Sequence, residues 1–171
     1  MNIALVALLA LSVTAVAFTP VAFVPDAFAQ DDSDAPITKA QPKLPTIPLT
    51  ITHDGVKHVF TVEQATTPRE QTVGLMFRTA IPADGGMLFD WGVTKESEMW
   101  MRNCPVPEDM VFIDPDGTIH HIAENTVPQS MAIVSSEGPV QATLELQGGI
   151  TGKLGIEVGD KVTGGPFGKA Q

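Results

Sequence analysis

Four clusters force the chain to turn: Asp54-Gly55, Ala83-Asp84-Gly85-Gly86, Asp114-Pro115-Asp116-Gly117 and Gly148-Gly149. Glycine enters positive φ without steric cost, and Pro115 presets a turn dihedral, so no long regular element can run through these points. What lies around them is short and apolar: Ile47 to Thr52, Lys57 to Glu63, Met87 to Phe89, Met99 to Met101, Met110 to Ile113, Thr118 to Ile122 and Val140 to Leu146. Such segments, bounded by turns, read as strands, and Gly159-Asp160-Lys161-Val162 closes the series as an eighth. Leu49 and Ile51 alternate with threonines, and Asp54-Gly55 joins the first two segments in a hairpin. The Asp114 to Gly117 turn makes a second hairpin, returning as Thr118 to Ile122.

Two short helices interrupt the strands. Thr67-Pro68-Arg69-Glu70 sets a hydroxyl at an N-cap, proline at the first helical position and glutamate three residues after the cap. The helix should run from about Pro68 to Val73 or Phe77, with Gly74 weakening or ending it. A helical turn at Ile150 to Leu154 follows Gly148-Gly149. The expected class is α+β and β-rich: a compact, strongly bent or barrel-like antiparallel or mixed sheet with one or two short helices.

The ends carry a different message. From Asn2 to Pro25 there is no charged side chain, and the run closes on Ala27-Phe28-Ala29, small residues at the positions that a signal peptidase reads. Residues 1–29 are therefore expected to be a signal peptide, cleaved near Ala29, and the protein to be periplasmic or secreted. No Lys or Arg precedes the apolar run, and its length approaches the roughly 20 residues that span a bilayer, so an uncleaved anchor is the alternative. Pro20 and Pro25 favour cleavage, which leaves no transmembrane span in the mature chain.

Residues 30–48 hold three Asp and four Pro and few large apolar groups, the composition of a flexible linker. One globular domain is expected over 49–163, and 164–171 as a flexible tail. Cys104 is the single cysteine, so no disulfide within the chain can staple this domain. The net charge of −10, with no basic cluster, argues against nucleic acid as a partner.

Five motifs in fixed order carry a family resemblance: Gly74-Leu75-Met76-Phe77-Arg78, Asp84-Gly85-Gly86-Met87-Leu88-Phe89, Trp100-Met101-Arg102-Asn103, Glu108-Asp109-Met110-Val111-Phe112-Ile113-Asp114 and Leu144-Glu145-Leu146. Over about residues 49 to 163 the chain resembles the exported proteins grouped as domain of unknown function 192. The resemblance implies an exported bacterial or archaeal domain with a compact β-rich fold and no established activity. Two positions depart from the family pattern: Cys104 stands where threonine is expected, and Glu108 replaces the usual leucine before Asp109.

Arg78, Asn103 and Asp109 are polar residues set in apolar motifs, and an unpaired polar group there costs about 1–3 kcal/mol. One reading pairs Arg78 with Asp109 in an internal salt bridge while Asn103 fixes a turn. The other makes Arg78, Asn103, Asp109 and Trp100 a ligand-binding cleft in which the guanidinium meets an anionic group. Met76, Met87, Met99, Met101 and Met110 offer thioethers to a soft metal such as Cu(I), with Met87, Met99 and Met101 the leading set and His58, His120, His121 and Cys104 in support. Met87, Met99, Met101 and Met110 all sit on expected strands, where methionine is most often core filler, and core packing is the favoured reading. His120 and His121 are consecutive on a strand and face opposite ways.

Cys104 beside Arg102, or Asp109, are the candidates for a hydrolase, and neither comes with a recognisable catalytic signature. No cofactor is expected. The reading carried forward is a non-catalytic envelope module that binds a small molecule or an envelope protein. Soft-metal binding and a hydrolase are the alternatives.

Overall fold

The computed structural model describes residues 35–168. The expected signal peptide, its cleavage near Ala29 and the first residues of the expected linker lie outside the described residues. No helix among the described residues is long and apolar enough to cross a membrane.

Seven strands form one mixed sheet: β1 (Thr46–His53), β2 (Val56–Ala65), β3 (Met87–Met99), β4 (Glu108–Ile113), β5 (Ile119–Ala123), β6 (Val134–Gln147) and β7 (Lys161–Thr163). Their order is β5-β4-β6-β3-β2-β1-β7. Every pairing is antiparallel except β2 with β3, which run parallel through Glu63, Gln64 and Ala65. Parallel neighbours need a crossover, and helix α1 (Pro68–Val73) lies within it. The sheet curls until its edges meet: Thr118, just before β5, bridges to Lys161 of β7, and Ile119 donates to the Asp160 carbonyl at 2.9 Å. The result is a strongly bent half-barrel with two short helices, the β-rich α+β class that the turn spacing predicts.

The N-terminus of α1 forms as its sequence dictates. The Glu70 amide donates to Thr67 Oγ1 at 3.2 Å, and the Thr67 amide donates back to Glu70 Oε2 at 2.9 Å. The Thr66 amide and hydroxyl donate to the same Glu70 oxygen at 2.8 and 3.0 Å, and the helix stops at Gly74, whose φ of 48° few other residues adopt cheaply.

Both faces of the sheet are covered. The inner face packs Leu49, Ile51, Phe60, Val62, Leu88, Val111, Ile113, Leu144 and Leu146 around Ile150 of α2 (Ile150–Leu154). The outer face packs Met87, Phe89, Met110, Phe112 and Val140 against Val73, Leu75 and Met76 from α1 and the turn after it. With two cores, β4 is buried at all six positions, which is why its sequence shows no alternation.

Three expectations need correction. Met87–Phe89 and Met99–Met101 are not separate strands: β3 runs unbroken from Met87 to Met99, and Trp100 and Met101 lie beyond it. Its middle, Gly92 to Glu96, is exposed and irregular, with register shifts against β6, so solvated side chains hide a strand that its backbone pairing maintains. The count is accordingly seven strands, not eight. The packed region is also wider than 49–163. Ile37 and Leu44 pack on the outer core, Gln41 Nε2 donates to the Gly74 carbonyl at 2.9 Å, and Phe167 is buried in the inner core.

Candidate functional site

The proposed pairing of Arg78 with Asp109 does not occur. Asp109 is fully buried on the inner face of β4, where it accepts four hydrogen bonds. The Asn125 and Gly149 amides donate to Oδ1, both at 2.8 Å, and the Thr151 amide and hydroxyl donate to Oδ2 at 2.9 and 2.7 Å. Its carboxylate thus ties the first turn of α2 to the 125 turn. A group so fully committed has no lone pair directed to a ligand.

Arg78 sits in the turn after α1, and its partner is Glu63 of β2, Nη2 to Oε2 at 3.1 Å. The same Glu63 oxygen accepts the Leu44 amide at 2.7 Å, so one carboxylate clips the N-terminal segment and the 74–78 turn to the sheet. Arg78 Nε is buried without a hydrogen-bond partner. A cleft of about 210 Å³ opens beside it, with Lys43, Glu63, Leu75, Ile81 and Pro82 among its walls.

Asn103 holds a turn at φ 58° and its carbonyl accepts the Phe77 amide at 2.8 Å; Phe77 itself is at φ 61°. A phenylalanine there is strained by roughly 1–2 kcal/mol, and the strain persists because turn 74–78 is locked against turn 101–104. Asn103 Nδ2 approaches Met76 Sδ at 3.7 Å. Asn103 is therefore an architectural residue of these two turns.

Of the methionines offered to a metal, Met87 and Met101 are fully buried and Met99 nearly so, all three in the outer core. Met101 Sδ accepts the Thr126 hydroxyl at 3.1 Å. His120 and His121 diverge to different acids, Asp114 at 3.2 Å and Glu137 at 3.8 Å.

Trp100 stands apart, 39 % exposed, with the Arg102 guanidinium 6.0 Å from its ring centroid. Next to it is a small cavity of about 20 Å³ whose walls include Thr72, Met76, Phe89, Met99, Cys104 and Glu145. Glu145 lies on β6 opposite Met110, two residues along β4 from Glu108, so the two carboxyls are diagonal neighbours on the outer face. Glu145 is 3 % exposed and Glu108 0 %; Glu145 Oε2 and both Glu108 oxygens have no hydrogen-bond partner.

Burial pushes the Glu108 carboxyl up to about 7, the Cys104 thiol beside it offsetting part of the rise. Burial, and then the charge of Glu108, hold Glu145 well above the usual carboxylate range. Burial likewise, with both carboxylates behind it, pushes the Cys104 thiol up, which removes the thiolate that a nucleophile needs.

Sequence reasoning missed Glu108 and Glu145 as a pair. The available signals were a glutamate between two leucines in Leu144-Glu145-Leu146 and the departure from leucine at Glu108.

The model of the uncharacterised family named domain of unknown function 192 matches residues 49–164. The chain belongs to this family. Two solved structures are similar. One, from Sinorhizobium meliloti 1021 and described provisionally as a transcription regulator, is 41 % identical over 75 % of this chain and 100 % of its own, with a TM-score of 0.72. The other, from Novosphingobium aromaticivorans, is described as of unknown function and is 37 % identical over 77 % of this chain and 96 % of its own, with a TM-score of 0.69. No curated protein matches. Four of the five motifs that carry the family resemblance, far apart in the chain, meet at the Trp100 cavity: Gly74, Leu75 and Met76 from the first, Phe89 from the second, Trp100 from the third and Glu145 from the last. Cys104 and Glu108, the two departures from the family pattern, stand beside that same Glu145.

Proposed function

We propose that the protein is an exported, non-catalytic binding module of the cell envelope, and that it receives an anionic group of a small molecule or a polypeptide in the cleft beside Arg78. The single observation behind this reading is that cleft. Two cations, Arg78 and Lys43, share about 210 Å³ with apolar walls from Leu75, Ile81 and Pro82, and the buried Arg78 Nε is unpartnered. A guanidinium and an ammonium beside an apolar wall are suited to a carboxylate carrying a short hydrocarbon part. The volume is below the roughly 300–1,000 Å³ of sites for drug-sized ligands, so the fit is to a fragment or a terminal residue. Asp109, Asn103 and Trp100 are not part of this cleft. Its counter-charge is Glu63, which orients Arg78.

The two alternatives find less support. A hydrolase has no attacking group in Asp109, bound by four donors, or in Cys104, whose thiol is held protonated. A copper site in Met87, Met99 and Met101 competes with their packing in the outer core.

The test is a nuclear magnetic resonance titration with a dipeptide bearing a free C-terminal carboxylate, set against its amide. Shifts at Lys43, Leu75 and Ile81 are expected with the acid alone, weakened several-fold by Lys43→Ala, which leaves the Arg78–Glu63 pair intact. An equal response to the amide defeats the reading. Export is tested separately, by the mass of the protein recovered from its host: a mature chain starting at Gln30 is expected, and an intact Met1 terminus would replace secretion with anchoring.

A further inference from the structure

The cavity at Trp100 is too small for the ligand of the Arg78 cleft, and its chemistry is opposite in sign. Its accessible space of about 20 Å³ is close to that of one water molecule, so it admits a group with a single heavy atom. Its polar wall is the Glu145 carboxyl, 3 % exposed, with Oε2 unpartnered and with Glu108 behind it, equally unpartnered. None of the hydrogen bonds or ion pairs to Glu108 or Glu145 comes from a cationic side chain among the described residues: Arg102 stays over the Trp100 ring, and Arg78 is held by Glu63. The other walls include the soft and π-rich Phe89, Trp100, Met76 and Met99, with Gln71 and Thr72 on the α1 side. Aromatic faces and thioethers around a buried carboxyl attract a cation, since ring quadrupoles and carboxylate oxygens reinforce each other where water is excluded.

We propose that this cavity is a receptor site for one primary ammonium group, inserted past Trp100 and hydrogen-bonded to Glu145. A primary ammonium places its donors on one heavy atom, so it matches the volume, and Glu145 Oε2 is an unpartnered acceptor in the wall. A metal ion fits less well. Among the described residues no three of His, Cys, Asp or Glu are arranged to hold one, and the Met76 and Met101 sulfurs accept hydrogen bonds from Asn103 and Thr126. The ammonium can arrive on a small alkylamine or on the side chain of a lysine in a polypeptide. The exposed Trp100 at the mouth would cover the hydrocarbon stem in either case.

The experiment titrates the full mature chain at pH 8 with two probes, n-butylammonium and Nα-acetyl-lysine methylamide, while following the Trp100 indole and Met99 methyl resonances. n-Butanol serves as the uncharged control. Saturable shifts with either ammonium and none with the alcohol are expected; the tighter probe identifies the source. Glu145→Gln should weaken binding at least tenfold, and Trp100→Ala, at a half-exposed position that leaves the fold intact, several-fold. Equal shifts with n-butanol, an unchanged affinity in folded Glu145→Gln, or Cu(I) uptake at these resonances with no amine binding would overturn the proposal. The Arg78 cleft does not enter this readout, so a blank result for dipeptide carboxylates leaves it unaffected.

Discussion

At the scale of single residues, the molecule is governed by where its buried carboxyls find donors. Asp109 finds four and acts as a structural tie, whereas Glu108 finds none for its oxygens. The consequence for Glu108 is a pH dependence with a definite sign. Its folded carboxyl holds the proton up to about 7, while in the unfolded chain it releases it near 4.5. The folded state therefore binds more protons between those values, and stability falls as pH rises from 5 to about 7; Glu145, held above the usual range by burial, adds to the fall and carries it beyond 7. Cys104, Glu145 and Thr126 surround the group and supply no compensating cation. Urea unfolding should show a loss of at least about 2 kcal/mol across that range, and Glu108→Leu should be flatter and more stable at pH 8. Over this range the depressed carboxyls of Glu70 and Asp116 are almost fully ionised in both states, and His53, raised by its hydrogen bond to Asp160, adds to the fall in wild type and in Glu108→Leu alike. For Asp109→Ala the expected cost is at least about 3 kcal/mol, because buried amides lose a charged acceptor. Combined with Arg78→Ala the effects should add within about 0.5 kcal/mol in thermal unfolding, since the two side chains share no partner. Arg78→Ala with Glu63→Ala should not add.

At the scale of elements, local chemistry and pairing act on different parts of the chain. The start of α1 is settled by Thr67, Pro68 and Glu70 alone, so Thr67→Ala should cost about 1 kcal/mol in urea unfolding, as for other N-cap losses. That helix and the two hairpins were legible because capping and turn signals reside within a few consecutive residues. The middle of β3 was not. Gly92-Val93-Thr94-Lys95-Glu96 has no apolar alternation, and it is extended because Lys95 and Glu96 pair with Val140 and Pro139 of β6, some 45 residues away in the chain. The site suffered the same limit. Glu145 looks like an isolated acid in an apolar strand and Glu108 like one half of an acidic pair with Asp109, and only the antiparallel register of β4 and β6 makes the two glutamates diagonal neighbours.

At the scale of the whole molecule, curling brings opposite edges of the sheet together at a narrow seam. Val162 donates to the Gly117 carbonyl at 2.8 Å, and a Cβ on Gly117 would stand 2.4 Å from the Val162 carbonyl oxygen, with φ at +82°. Gly117→Ala should therefore open the seam at a cost of at least about 2 kcal/mol, combining backbone strain with the clash. Hydrogen exchange should show faster exchange of the Val162 and Ile119 amides, whereas the capping box of α1 keeps its protection.

By itself the sequence determined the β-rich class, the turns, the start of α1 and the family, because these depend on residue types at short separations and on motifs in order. It also marked Arg78, Asn103, Asp109 and Trp100 as polar or aromatic residues that an apolar setting must accommodate. Only the tertiary structure decided what each of them touches. It gave Arg78 to Glu63, committed Asp109 to α2, used Asn103 to lock two turns, and left Trp100 at the mouth of a cavity whose acid comes from β6. Partner choice depends on strand order and register, and those follow from how the whole sheet curls over its two cores, which no local pattern encodes.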